Sequence, residues 1–228
     1  QKNKNGTPII SDIFVKAQRL AKGELICYLA SDIILTSDFQ SVEKKLPKHQ
    51  SFLALGRRTD LDLHVAVDFN QPNWEKKLLM QAREKGRLHG YSALDIMIFP
   101  RQLKFTMPNF LIGRPGWDNP FVYQLIKKGL LIIDVTAALT TIHQNHDYSH
   151  HKQGKFGVWK GEEARYNFKL AGGFSKMATI RNAHLLLTTH GLVKPPILRR
   201  IYATVSLISP CRQIIGLRRW RLHKKFLT

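Results

Sequence analysis

The chain has 228 residues, 43% of them hydrophobic, and a formal net charge of +20 at pH 7, which suits one sizeable α/β domain, alone or with a tail. No run of about eighteen apolar residues argues for a transmembrane helix, and the polar opening Gln1-Lys2-Asn3-Lys4-Asn5 shows neither a signal-peptide pattern nor an initiating Met, as in a trimmed or partial chain. The surplus charge favours phosphates, whether of nucleic acid, anionic lipid or nucleotide, and it is uneven: from Lys194 to Thr228 there are many Lys and Arg and no acidic residue.

In chain order, residues 1–8 read as a loop. From Ser11, an expected N-cap, Ile13, Phe14, Ala17, Leu20 and Ala21 follow helical spacing, and Gly23 closes the helix. Glu24 to Leu35 is a nearly unbroken apolar run that reads as one buried strand of a parallel sheet, with Asp32 near its C-terminal end. A helix capped by Ser37 or Asp38 is expected through Leu46, a strand over Phe52–Gly56, and an amphipathic helix from Pro72 to Lys85 that Gly86 stops. Asp95 to Phe99 reads as a short strand, Gly113-Arg114-Pro115-Gly116 as a loop, and Pro120 to Lys128 as a helix capped by Asp118 or Asn119. Leu130–Val135 and Ala137–Ile142 read as strands, residues 143–154 as a polar loop, and Glu162–Leu170 as a helix. Ile197–Ile208 and Ile214–Phe226 read as short amphipathic helices with basic faces, resembling membrane-surface helices. Cys27, within the apolar run, and Cys211, in the basic end, are not expected to pair, which fits a reducing compartment.

Polar groups concentrate after three apolar segments. A carboxylate in a run as apolar as that around Asp32 costs several kcal/mol unless paired or metal-bound, and ligands of open α/β sheets lie beyond the strand ends; a turn or cap Asp is the alternative. Asp118, beside Trp117 at a loop-to-helix junction, is either a cap or a general base acting on a hydroxyl held against Trp117. The stretch His143-Gln144-Asn145-His146-Asp147-Tyr148-Ser149-His150-His151 has the imidazoles and carboxylate that suit a transition metal, although a solvated loop has the same composition. One of its histidines would join Asp32 around the metal if the two strand ends are neighbours. Arg57 and Arg58 follow a strand and could meet a diphosphate, or lie exposed.

Leu29-Ala30-Ser31-Asp32-Ile33-Ile34 resembles the metal-binding aspartate motif of glycosyltransferases with the GT-A fold. The stretches Leu88 to Asp95, Ile112 to Asn119 and Ile142 to His150 look like successive blocks of family-two-like members. The resemblance implies an α/β fold with a GT-A-like mixed, mostly parallel sheet flanked by helices over residues 1–175, followed by a basic helical extension over 176–228. It implies that Asp32 and His143 hold Mn²⁺ or Mg²⁺, with His146 and Asp147 as further candidates. Arg57 and Arg58 would meet the diphosphate of a nucleotide-sugar donor, Asp95 and Trp117 would line the acceptor pocket, and Asp118 would deprotonate the acceptor hydroxyl. The strand, helix and strand that hold the nucleotide base in such enzymes have no counterpart here, so the chain reads as starting after them. The expected acceptor is a glycan or lipid-linked glycan, with residues 197–228 on the inner face of a membrane in the cytoplasm. Two alternatives stand beside this expectation: a metal-dependent nucleic-acid enzyme, which the charge and the histidines motivate, and a non-catalytic truncated relative. Under the glycosyltransferase reading, no specific nucleic-acid partner is expected.

Overall fold

The computed structural model describes residues 1–149 and 152–208. They form an α/β fold of two mixed sheets flanked by helices. The expected second basic helix, Ile214–Phe226, together with Cys211, His150 and His151, lies outside the described residues.

Helix α1 (Ile10–Leu20) starts one residue before Ser11, whose hydroxyl donates to Asn109 Oδ1 at 2.9 Å instead of capping. Its buried residues, Ile10 and Phe14, anchor it. The apolar run that follows is not one strand. It splits into β1 (Leu25–Leu29) and β2 (Ile33–Leu35), which belong to different sheets. The break falls at Ala30-Ser31-Asp32, where the Ala30 N–H donates to the Asp95 carbonyl at 2.9 Å and the Ile33 N–H returns to the Ala30 carbonyl at 3.2 Å.

The other elements follow as α2 (Asp38–Lys45), β3 (Phe52–Gly56), β4 (Thr59–Leu61), α3 (Trp74–Lys85), β5 (Arg87–Leu88), β6 (Ile96–Pro100), α4 (Asp118–Lys127), β7 (Leu131–Asp134), β8 (Thr141–Gln144), α5 (Gly154–Lys160), α6 (Glu162–Ala171), β9 (Leu185–Thr188), β10 (Gly191–Val193) and α7 (Ile197–Val205). The first sheet runs β1-β6-β3-β7-β9-β10 and the second β2-β8-β4-β5. β3, all five residues buried, is central because every side chain of Phe-Leu-Ala-Leu-Gly can be covered on both faces. It pairs parallel with β7 and antiparallel with β6.

The expectation of a mostly parallel sheet is corrected. Only β3–β7 and β7–β9 are parallel in the first sheet; β1–β6, β6–β3 and β9–β10 are antiparallel. β1 is an edge strand, and Cys27 on it is exposed rather than buried. β8 begins four residues later than the expected strand, since Thr136 to Thr140 make the turn that Asp38 Oδ2 holds by accepting from the Thr140 N–H at 2.8 Å. Residues 174–193 supply two 3₁₀ turns and the β9–β10 hairpin, which extends the first sheet before the basic helix α7 begins. That hairpin carries no strong turn signal in Thr188 to Gly191 and was not expected.

The core beneath β1 and β6 is aromatic. Phe14 meets Tyr28, Phe99, Phe105, Trp117 and Phe121 with ring centroids 5.5–6.3 Å apart, mostly edge-on as ring quadrupoles prefer. The loop that leads into α4 is tied down from α6. Asn167, fully buried, accepts from the Leu111 N–H at 2.9 Å and donates to the Leu111 carbonyl at 2.9 Å and the Pro115 carbonyl at 3.3 Å. At Gly116 the backbone turns with φ +87°, and an added Cβ would stand 3.0 Å from the Phe168 ring. Asn167→Ala leaves these backbone groups buried without partners and is expected to lower unfolding free energy by about 2–4 kcal/mol in urea titration; a change under about 0.5 kcal/mol would show that the clamp does not bear on stability.

Candidate metal and carboxylate site

The break between β1 and β2 is what creates the site. Asp32 lies in the turn between the two sheets, and its carbonyl accepts from the Gln144 N–H at 3.0 Å, which docks the turn on β8. β8 lies between β2 and β4, with His143 opposite Ile33 in the antiparallel register and opposite Asp60 in the parallel one. Asp32, His143 and Asp60 are thereby brought together from three distant stretches of chain.

His143 Nε2 stands 3.3 Å and His146 Nε2 3.1 Å from Asp32 Oδ2. Ligand atoms of Asp32, His143 and His146 all lie within 4.8 Å of one another. Asp32 Oδ1 is buried and has no hydrogen-bond partner among the described residues, an uncommon state for a carboxylate oxygen. Contact with His143 holds the Asp32 carboxyl down to about 2, against the opposing pull of burial. His146 is raised from the usual imidazole range, chiefly by the Asp147 carbonyl 2.6 Å from its Nδ1.

Behind the imidazole of His143 sits Asp60, which is 7% exposed. Its Oδ1 accepts from Arg58 Nε at 2.8 Å and faces His143 Nδ1 at 3.2 Å; its Oδ2 lies 2.7 Å from His89 Nδ1. Burial pushes this carboxyl up, but His89 and Arg58 outweigh it and leave it below the ordinary value. Arg58 then bridges to the next acid, with Nη1 3.0 Å from Asp95 Oδ2. Burial raises the Asp95 carboxyl, with Arg58 opposing and Asp32 adding to the rise.

Asp118 is the last member. It is the first residue of α4 rather than its cap; Trp117 occupies the cap position. Asp118 Oδ1 accepts from the Asn119 N–H at 2.8 Å. Although part of its surface is open, burial pushes the carboxyl up to about 7, with the Asp95 charge adding to the rise. The Tyr28 hydroxyl is raised by burial and then by Asp118, Asp95 and Asp32, so one phenol feels all three acids. Asp32, Asp95 and Asp118 therefore lie around one phenol, Asp32 with the imidazoles of His143 and His146 beside it.

The remaining expected residues fall as follows. Trp117 is 6% exposed and packs its ring 5.3 Å from Tyr28, so it supports the site from the core. Arg58 is held by Asp60 and Asp95 inside the site. Arg57 stacks its guanidinium 4.4 Å from the Tyr91 ring centroid and donates from Nε to the His89 carbonyl at 2.7 Å. Asp147 accepts from the Ser149 N–H and hydroxyl in its own turn and is not in the three-ligand cluster. Sequence reasoning missed Asp60, His89 and Tyr28. Asp60 does alternate with Thr59 and Leu61 in a short strand, but its value comes from the pairing with β8. Two surface depressions, one along α3 at Glu75, Leu79 and Arg83 and one between Met107 and Lys128, contain none of these side chains.

A carboxyl whose native pKa lies above its unfolded one keeps its proton longer in the fold, so Asp118 costs stability as pH rises from about 4 to about 7. Asp118→Asn is expected to remove that loss, making the variant more stable than the parent at pH 8 by on the order of a few kcal/mol and nearly equal at pH 4, as read by denaturant unfolding. A parent and variant with parallel pH profiles would show that Asp118 does not titrate in this range. No protein-family model, curated protein or solved structure matches the chain.

Proposed function

We propose that the protein is a metal-dependent glycosyltransferase that moves a sugar from a nucleotide-diphosphate donor to a hydroxyl of a glycan or lipid-linked glycan. The observation that carries this reading is the meeting of a cation-type ligand cluster, with its orphaned Asp32 Oδ1, and a separate carboxyl of raised pKa, Asp118, in one region.

The residues present fit a divalent cation. Asp32, His143 and His146 would hold it, and the buried Oδ1, without a partner among the described residues, is the kind of oxygen a cation satisfies. Two imidazoles and one carboxylate suit Mn²⁺ better than Mg²⁺, which prefers oxygen ligands. Asp60 supports the set by facing Nδ1 of His143, which leaves Nε2 free as the ligand atom. When bound, the cation would offset the negative charge that builds on the departing diphosphate. Asp118, with its pKa near neutrality, takes the proton from the acceptor oxygen as that oxygen bonds to the anomeric carbon and the bond to the diphosphate oxygen breaks. Arg57, which pairs with no carboxylate among the described residues, is the cation available to the diphosphate.

Isothermal titration with Mn²⁺ separates the two halves of the site. Asp32→Ala is expected to weaken Mn²⁺ at least about 100-fold, and Asp60→Asn by about 10–100-fold. Asp118→Asn should bind Mn²⁺ like the parent. In assays of nucleotide-sugar turnover with Mn²⁺, Asp118→Asn is expected to lose roughly 10²–10⁴-fold in rate. Unchanged turnover in either Asp32→Ala or Asp118→Asn would overturn the assignment. Steeply salt-dependent binding to DNA or RNA, with no thermal protection by nucleoside diphosphates, would favour the nucleic-acid reading instead.

A further inference from the structure

Helix α7 is mounted with its apolar stripe outward. The side facing the protein is polar and aromatic. Arg199 Nη2 donates to Asp134 Oδ2 at 2.8 Å and to the Ile180 carbonyl at 2.6 Å, and both charged side chains are largely covered, 14% and 6% exposed. Tyr202 lies under the Arg181 guanidinium at 4.5 Å. One turn on, the buried Ser206 hydroxyl accepts from Asn182 Nδ2 at 2.7 Å. Arg199, Tyr202 and Ser206 are spaced by three and four, so they fix the rotation of the helix about its own axis. What that rotation turns to the outside is Leu198 (78% exposed), Ile201 (52%), Val205 (39%) and Ile208 (51%), with Ile197 beside them. These too are at spacings of three and four, which makes a continuous stripe. A helix that only completed the fold would bury this face and expose Arg199; here a buried ion pair holds the reverse arrangement.

We propose that the outer face of α7 lies in the interface of a bilayer containing anionic phospholipid. Charge complementarity selects this occupant. Residues 194–228 hold nine Lys and Arg and no Asp or Glu, and the whole chain carries +20. Exposed Lys194 and Arg200 flank the stripe, as on helices that lie flat at anionic membrane surfaces. No helix among the described residues is long and apolar enough to cross a membrane, and α7 at nine residues fits lying in the plane. A second copy of the chain bears the same positive charge, which opposes stacking stripe on stripe. The proposal rests on α7 and the basic residues around it in sequence, and does not need the metal and carboxylate site.

The test is flotation of the full chain with vesicles of phosphatidylcholine containing about one third phosphatidylglycerol, against pure phosphatidylcholine. The parent is expected to float with the anionic vesicles and far less with the neutral ones. The charge-neutral variant Leu198→Ser/Ile201→Ser, altered only at exposed positions, is expected to keep the parent's thermal midpoint and to partition roughly tenfold more weakly. Parent protein that stays with the pellet, or a variant that floats as the parent does, overturns the proposal; the latter would assign any binding to residues elsewhere. A vesicle-free dimer in the parent that the variant dissolves also overturns it, by showing that the stripe is a self-interface.

Discussion

The candidate site depends on one buried carboxylate, Asp60, and the guanidinium and imidazoles gathered around it. A charge taken out of water costs several kcal/mol unless partners replace the lost solvation. Asp60 receives Arg58 on one oxygen and His89 on the other, with His143 facing the first. Each partner is thereby placed for a second role. Arg58 reaches Asp95, and His143 presents Nε2 toward Asp32. Removing Asp60 would take one carboxylate partner from Arg58 and from both ring nitrogens that face it, so the positions of Asp95 and Asp32 are both linked to a residue that touches neither.

The acids of the site are held in different protonation regimes by their surroundings. Asp32, beside His143 and His146, is kept at about 2. Asp118, in dense packing and near another acid, is pushed to about 7 although backbone N–H donors, that of Asn119 first, oppose the rise. A permanently charged carboxylate suits a cation ligand, and one that exchanges its proton near neutrality suits acid–base work; such divergence between neighbouring groups is how a single site separates the two tasks. Arg58, paired with Asp60 and Asp95, keeps the intervening carboxylates from adding all of their charge to that of Asp118.

Helix α7 uses the same device for a different purpose. The ion pair of Arg199 with Asp134 joins α7 to the end of β7, the strand paired with central β3. A buried ion pair adds little net stability compared with apolar packing, but it specifies orientation. On α7 the specified orientation leaves isoleucine and leucine in contact with water.

Much of the local structure could be read in the chain. The Phe52–Gly56 strand, the helices at Trp74–Lys85 and Glu162–Ala171, and the approach of Asp32 to a histidine of the 143–151 stretch follow from apolar period, glycine stops and charges set at the ends of apolar runs. The direction of pairing could not be read, because an apolar run such as Leu25–Leu29 has the same composition in a parallel or an antiparallel neighbourhood, at a centre or at an edge. Asp60 could not be recognised either. Its partners His143 and His89 reach it through the pairings of β4 with β8 and with β5, contacts decided by which strands become neighbours after folding. The amphipathic pattern of α7 was visible as well, but a helical wheel is symmetric between inside and outside; only the buried Asp134, waiting for a guanidinium, decided which face the protein kept.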